Sequence, residues 1–227
     1  MRNEKRLNPE TAAELVEAAT ARSIEIISRQ SKMSDLHKLA IQELTRKMAY
    51  FCLLVDFPHL QTFGETTRVA VPLDTGCGKT VSLTSFVGEL LKRGFTETTV
   101  LIATETLVEL DAIRDALVDI AGEELVAEHV GTFHSKMKHE HNVTPGDFPV
   151  IQMAHAGIVA NDMEYYYDFN GGPRDLVCWD EVFMKTQGYW LTLREVVEAV
   201  APLQDYKHTQ LDATPENLEA CEFLMML

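Results

Sequence analysis

The chain has 227 residues, of which 46% are hydrophobic, and its formal net charge is −15 at pH 7. This length fits one large domain, or one domain with an appendage, and the apolar fraction is sufficient for a folded core. So acidic a chain is poorly suited to hold nucleic acid through its overall charge, because that affinity comes mainly from basic side chains that meet phosphates. A local basic patch would still be compatible with such a partner.

Neither the start of the chain nor its apolar segments indicate export or a membrane span. The first residues, MRNEKRLNPE, carry charge but no apolar segment follows them, unlike a secretory signal. No run approaches the roughly twenty apolar residues that cross a bilayer. The four cysteines lack metal-ligand spacing, which favours free thiols in a reducing compartment. We therefore expect a cytoplasmic protein with no membrane partner, of bacterial, phage, plasmid or other mobile-element origin.

Two helices are predicted before the first strand. The first covers residues 9–30, where Pro9 fits the first turn and apolar residues recur at helical spacing. The second begins after a capping serine, becomes almost entirely apolar in its second half, and ends before Pro58. We expect an N-terminal helical segment over residues 1–60 and a second unit over residues 61–227. Whether these helices dock on that unit or on a partner is left open.

Short apolar strands alternate with helices from residue 68 onward, which indicates a mostly parallel sheet with helices on both faces. The predicted strands are 68–73, 99–104, 125–134, 148–155, 175–181 and 208–215, and the predicted helices include one after residue 78, one over 107–122 and one from 214 to the last residue. The last helix ends without a cap on an apolar run, so we expect the natural protein to continue.

The segment TGCGKT at residues 75–80 has the composition of a phosphate-binding loop. Glycines such as Gly76 and Gly78 adopt turns that other residues avoid, and a glycine loop that opens a helix directs several backbone N–H groups at one point. Lys79 would reach the outer phosphates, and the Thr80 hydroxyl would hold Mg²⁺. The longer form of this motif has one more glycine where this chain has Leu73. The predicted nucleotide-binding residues are Thr75, Gly76, Cys77, Gly78, Lys79 and Thr80, with a chance glycine-rich turn as the alternative.

Two adjacent carboxylates, Asp180 and Glu181, follow a second apolar segment, DLVCW. They are predicted to lie at the carboxyl end of a strand, where open α/β sheets bind their ligands. In a phosphate-loop enzyme the aspartate at this place binds Mg²⁺, directly or through water, and the adjacent glutamate activates the attacking water. The alternative is a solvated acidic turn.

With both segments in view, the chain resembles the first RecA-like domain of superfamily two helicases and translocases, over roughly residues 60–227. LDTGCGKT, VLIATETL, VIQMAHAGI, RDLVCWDE and LDATP are similar to five motifs of that family, in the family's order. The matched residues outside the loop and the acidic pair are Thr104, Leu107, His155, Arg174, Asp212, Ala213 and Thr214.

The resemblance implies a three-layer RecA-like P-loop NTPase domain with an N-terminal helical appendage. It also implies ATP and Mg²⁺ as ligands, with Lys79 and Glu181 as catalytic residues. Residues 212–214 would couple hydrolysis to domain movement, and Thr104 and His155 would contact nucleic acid. The implied partners are nucleic acid, DNA rather than RNA, and a second RecA-like domain in the same or another chain. We expect this chain alone to bind ATP and to hydrolyse it slowly.

Some positions depart from the family's pattern. Asp74 stands where proline is common, and Asp212 stands where the family has serine or threonine. The nearest candidate for an adenine-reading glutamine, Gln61, has poor spacing. Two other functions fit the same loop and carboxylates: the ATPase of a terminase-like DNA-packaging motor, and a degenerate nucleotide-binding scaffold.

A histidine cluster and a tyrosine cluster each allow a functional and a purely structural interpretation. His134, His139 and His141 invite a zinc site, but no closing ligand pair stands at a known spacing, and a solvated loop is favoured. Three tyrosines at residues 165–167 could stack on bases. Their position before a Gly-Gly-Pro turn favours a role in covering the sheet.

Overall fold

The computed structural model describes residues 5–61, 70–71, 76–134, 144–155, 168–169, 172–180 and 225–226. Within these ranges the chain has an α/β fold, with helices packed on a parallel sheet. The helices are α1 (Pro9–Ser28), α2 (Asp35–Leu54), α3 (Lys79–Lys92), α4 (Leu107–Ala121) and α5 (Glu123–His129). The strands are β1 (Ala70–Val71), β2 (Val100–Thr104), β3 (Val130–Phe133), β4 (Val150–Ala154), β5 (Asp168–Phe169), β6 (Gly172–Pro173), β7 (Leu176–Asp180) and β8 (Met225–Met226).

Three of the helices, α1, α2 and α4, begin where side chains satisfy some of their first N–H groups. The Asn8 side chain accepts from the backbone of the first turn of α1, and Ser34 does the same for α2. Thr106 and Glu109 form a reciprocal capping box at the start of α4. These caps explain why the helix starts are legible in the sequence.

All strand pairs in the main sheet are parallel, in the order β1-β8-β7-β2-β4-β3. The four longer strands β7, β2, β4 and β3 form its body, and the two-residue segments β8 and β1 extend it on one side. β5 and β6 form a separate antiparallel pair. Because parallel strands end at a common edge, the ends of β2, β4 and β7 lie together, with Thr104 paired to Ala154 and Ala103 paired to Trp179. The predicted mostly parallel sheet is therefore confirmed.

Two sequence-based assignments are wrong. Residues 125–129 of the predicted strand 125–134 belong to α5, and only Val130–Phe133 form a strand. Gly122, with a φ of +94°, ends α4 and lets a new helix start at two glutamates that suit its positive end. The predicted C-terminal helix is contradicted at Met225–Met226, which pair with β1 and β7, and its other residues lie outside the described ranges. A short apolar run such as FLMML fits helix and strand equally well by periodicity. The strand predicted at 208–215 lies outside the described residues.

The two N-terminal helices pack on the same core as the sheet. That core joins Leu15 of α1, Met48 of α2, Phe86 of α3 and Cys178 of β7, all nearly inaccessible to solvent. The helices therefore dock on the α/β unit through α3, which answers the question that the sequence left open. An ion pair between Arg22 of α1 and the buried Glu89 of α3 adds a polar contact at 3.7 Å.

A buried carboxylate joins the N-terminal segment to the beginning of two strands. The Asp175 side chain accepts from the Thr99 backbone N–H at 2.7 Å, from the Thr99 hydroxyl at 3.0 Å and from the Arg6 guanidinium at 2.5 Å. Burial raises the pKa of Asp175, against the lowering effect of the Thr99 N–H and Arg6.

The neighbouring Arg174 joins the segment before β4 to the start of β7. Its guanidinium donates to the carbonyls of Pro145, Phe148 and Pro149.

We predict that Asp175→Ala lowers the free energy of unfolding by about 1–3 kcal/mol, because it leaves the buried Thr99 backbone N–H without its acceptor and removes one of the two carboxylates that pair with Arg6. Urea unfolding followed by circular dichroism measures this change. Asp115→Ala, on the exposed side of α4, is the matched control and should change the free energy by less than about 0.5 kcal/mol. Equal effects of the two substitutions would contradict the structural role of Asp175.

Candidate functional site

The glycine-rich loop leads directly into α3. Gly76 and Gly78 have φ of +82° and +84°, in the left-handed region that favours glycine. Gly78 is the N-terminal cap of α3, and as a glycine it has no side chain that could accept from the first N–H groups of that helix. Their hydrogen-bonding capacity and the positive end of the helix dipole make this an anion-binding position. Lys79 is the first helical residue, and it is 7% exposed.

A side-chain contact joins the loop to the end of β7. The Thr80 hydroxyl donates to Oδ2 of Asp180 at 2.5 Å, although the two residues are 100 positions apart. Asp180 is the last residue of β7, and it is buried. The structure thus brings together one residue from each of the two segments that the sequence singled out.

The alternation of side chains along β7 explains the direction of Asp180. Leu176 and Cys178 both lie in the core that contains α3, and residues two apart on a strand point to the same face. Asp180 continues that series and therefore points towards the start of α3. Trp179, between them, points to the opposite face, where its ring lies 4.9 Å from that of His155.

The Thr80–Asp180 pair has the chemistry of a magnesium site. Mg²⁺ takes hard oxygen ligands, and in nucleotide sites it needs only one or two from the protein, because phosphates and waters supply the rest. A hydroxyl and a carboxylate that already touch fit this pattern. Among the described residues, no group of three or more His, Cys, Asp or Glu side chains comes together to hold a metal. A magnesium–nucleotide site does not require such a group.

The two residues that the resemblance assigned to nucleic acid are both enclosed. Thr104 is 1% exposed and its hydroxyl donates to the Thr106 carbonyl at 3.2 Å. His155 is also 1% exposed, and burial lowers its pKa to about 4, so the imidazole is neutral at pH 7. Within the described ranges, neither His155 Nε2 nor Trp179 Nε1 has a hydrogen-bond partner. Contact of Thr104 and His155 with nucleic acid stays a prediction.

Several predicted residues lie outside the described ranges. They are Thr75 of the loop, Glu181 of the acidic pair, the coupling residues Asp212, Ala213 and Thr214, the histidines His139 and His141, and the tyrosines at 165–167. Their roles stay predictions.

The contact between the α1–α2 pair and the loop was not predicted from the sequence. His37 Nε2 lies 2.8 Å from the Cys77 carbonyl oxygen, which makes the imidazole N–H the donor. A Cβ added at Gly78 would lie 2.2 Å from Cδ1 of Ile27, so α1 occupies the space that a side chain would need. Neither contact involves a motif or a spacing, because each joins residues far apart in the chain.

Three comparisons with known proteins found no match. No family model, curated protein or solved structure matches this chain. Among the described residues, no helix combines the length and the apolar character that a membrane crossing demands.

We predict that Gly78→Ala destabilises the protein more than Gly76→Ala. Both substitutions place a side chain at a positive φ, which costs roughly 1 kcal/mol. Only the alanine at residue 78 also overlaps Ile27, whereas nothing lies within 4 Å of a Cβ at residue 76. Urea unfolding should show an additional loss of about 1–3 kcal/mol for Gly78→Ala. Equal losses would contradict the close packing of α1 on the loop.

Proposed function

We propose that this chain is the ATP-binding half of a nucleic-acid helicase or translocase, built as a RecA-like P-loop domain. The observation that carries the proposal is the contact between Thr80 and Asp180. A chance glycine turn and a solvated acidic turn would have no reason to meet. A hydroxyl and a carboxylate that meet at the end of a parallel strand, beside a helix that begins at a glycine, are what a magnesium–nucleotide site requires.

Each residue of the proposed site has a distinct task. The backbone N–H groups from Gly76 to Thr80 bind the β- and γ-phosphates, and Lys79 offsets the negative charge on the transferred phosphoryl group. Thr80 and Asp180 hold Mg²⁺, which when bound neutralises charge on the phosphate oxygens. Glu181, next along the chain, orients the attacking water and accepts its proton.

A complete motor would need more than this site. In phosphate-loop enzymes an arginine supplied from a second domain raises the rate by about 10³–10⁵. We propose that a second RecA-like domain, in the same or another chain, supplies that group and much of the nucleic-acid track. The net charge of −15 agrees with a track that this chain does not provide alone. Hydrolysis by this chain alone should accordingly be slow.

Calorimetry with Mg·ATP tests the nucleotide site. We expect the parent chain to bind, and Lys79→Ala to weaken binding by about 10- to 100-fold, because a charge-assisted contact to phosphate contributes roughly 1.5–3 kcal/mol. Chelation of Mg²⁺ should weaken binding by the parent but change little in Asp180→Asn, in which the proposed metal ligand is already impaired.

Lys92→Ala is the matched control, because Lys92 is an exposed lysine at the far end of the same helix. It should bind Mg·ATP as the parent does. Equal affinities for Lys79→Ala and Lys92→Ala, or no saturable binding by the parent, would contradict the proposed site. ATP binding without hydrolysis, even with the second domain present, would instead favour the scaffold.

A further inference from the structure

The tip of the α1–α2 pair lies against the phosphate loop. Ile27 near the end of α1, Met33 in the connection and Ile41 on α2 form a small buried cluster of their own, apart from the main core. Val81 in the first turn of α3 packs against it. Gly78 closes the contact, because the Ile27 side chain fills the place of its missing Cβ. The loop therefore rests on an apolar surface made by the helix pair.

One polar contact reaches from this surface to the loop backbone. The His37 imidazole donates from Nε2 to the Cys77 carbonyl at 2.8 Å. His37 is the third residue of α2, and its own backbone N–H donates to the capping Ser34 hydroxyl at 3.1 Å. The imidazole thus projects from a capped first turn, and the next turn of α2 packs through Ile41. Its position is set by the helix rather than by the loop.

The hydrogen bond to the Cys77 carbonyl also sets the direction of the Gly78 N–H, because both groups belong to one planar peptide. In a trans peptide the carbonyl and the following N–H point in opposite directions, and the described chain contains no cis peptide. The Cys77 carbonyl points to α2, so the Gly78 N–H points away from the helix pair. In the proposed site that N–H is one of the groups that bind phosphate. Without a restraint, a glycine-flanked peptide samples several orientations.

We propose that His37 is a positioning residue of the phosphate site. It holds the Cys77–Gly78 peptide in the orientation in which the Gly78 N–H is available to the phosphate chain of a nucleotide. The loop is thereby ordered before the ligand arrives, and binding does not have to bear that ordering cost. The inference rests on the proposed nucleotide binding. It also makes the N-terminal helix pair part of the binding site instead of an appendage.

The test compares the affinity of Mg·ATP for four variants. His37→Ala and His37→Leu remove the donor, and His37→Leu retains most of the side-chain volume; both should weaken binding by about five- to tenfold, the loss expected for one hydrogen bond. His37→Gln can still donate and should remain within about threefold of the parent. His59→Ala, at an exposed histidine after α2, is the matched control and should bind as the parent does.

Binding of a second ligand, magnesium tripolyphosphate, shows whether His37 affects recognition of the phosphate chain. Magnesium tripolyphosphate has no base and no ribose, so it should show the same relative loss in His37→Leu as Mg·ATP does. Melting temperatures without ligand should be similar for His37→Leu and His37→Gln, because the two variants differ in hydrogen bonding and little in size. If His37→Ala does not fold, this Leu–Gln comparison decides the question alone.

The outcomes separate the two proposals. Loss of binding in His37→Leu with recovery in His37→Gln supports the positioning role. Binding that depends on Lys79 but is equal in the parent, His37→Leu and His37→Gln overturns that role and leaves the nucleotide site standing. Equal loss in His37→Leu and His37→Gln, matched by equal loss of melting temperature, also overturns it and assigns His37 to the fold. No binding by the parent contradicts the nucleotide site itself.

Discussion

The candidate site depends on one hydrogen bond, from the hydroxyl at the start of α3 to the carboxylate at the end of β7. Thr80 and Asp180 belong to separate segments, so their contact requires the loop, the helix and the strand to be placed correctly at once. The sheet supplies one half of that placement, because β7 is paired with β2 on one side and β8 on the other. The core supplies the other half, because it packs α3 on the face of the sheet to which Asp180 points.

The N-terminal helices contact the same loop two to three residues before Thr80. They bury Leu15 and Met48 in the common core, and they place Ile27 and His37 against Gly78 and Cys77. Ile27 packs against the loop and His37 donates to a loop carbonyl. Both contacts limit the conformations of a segment that its glycines would otherwise leave flexible. The helix pair therefore contacts the loop at Cys77 and Gly78, and β7 contacts it at Thr80.

Motifs and helix caps made of neighbouring residues could be predicted from the sequence, whereas contacts between residues far apart in the chain could not. The loop, the acidic pair and most helix starts each depend on a few adjacent residues, such as Ser34 before α2, so their patterns survive in the linear chain. The His37–Cys77 contact joins a side chain to a backbone carbonyl 40 positions away, and any residue type could provide that carbonyl. The strand β8 was missed for a different reason. A two-residue pairing in an apolar run is decided by its neighbours, β1 and β7, and not by its own periodicity.

A crystal structure of the chain with Mg²⁺ and a non-hydrolysable ATP analogue would test the proposed magnesium–nucleotide site at Thr80 and Asp180. We expect the phosphates to lie on the N–H groups of the loop and of the first turn of α3. We also expect Mg²⁺ at about 2.0–2.1 Å from the Thr80 hydroxyl oxygen, with Asp180 bound to it directly or through a water. A nucleotide bound elsewhere, with the Thr80 hydroxyl still donated to Asp180, would contradict the proposed site.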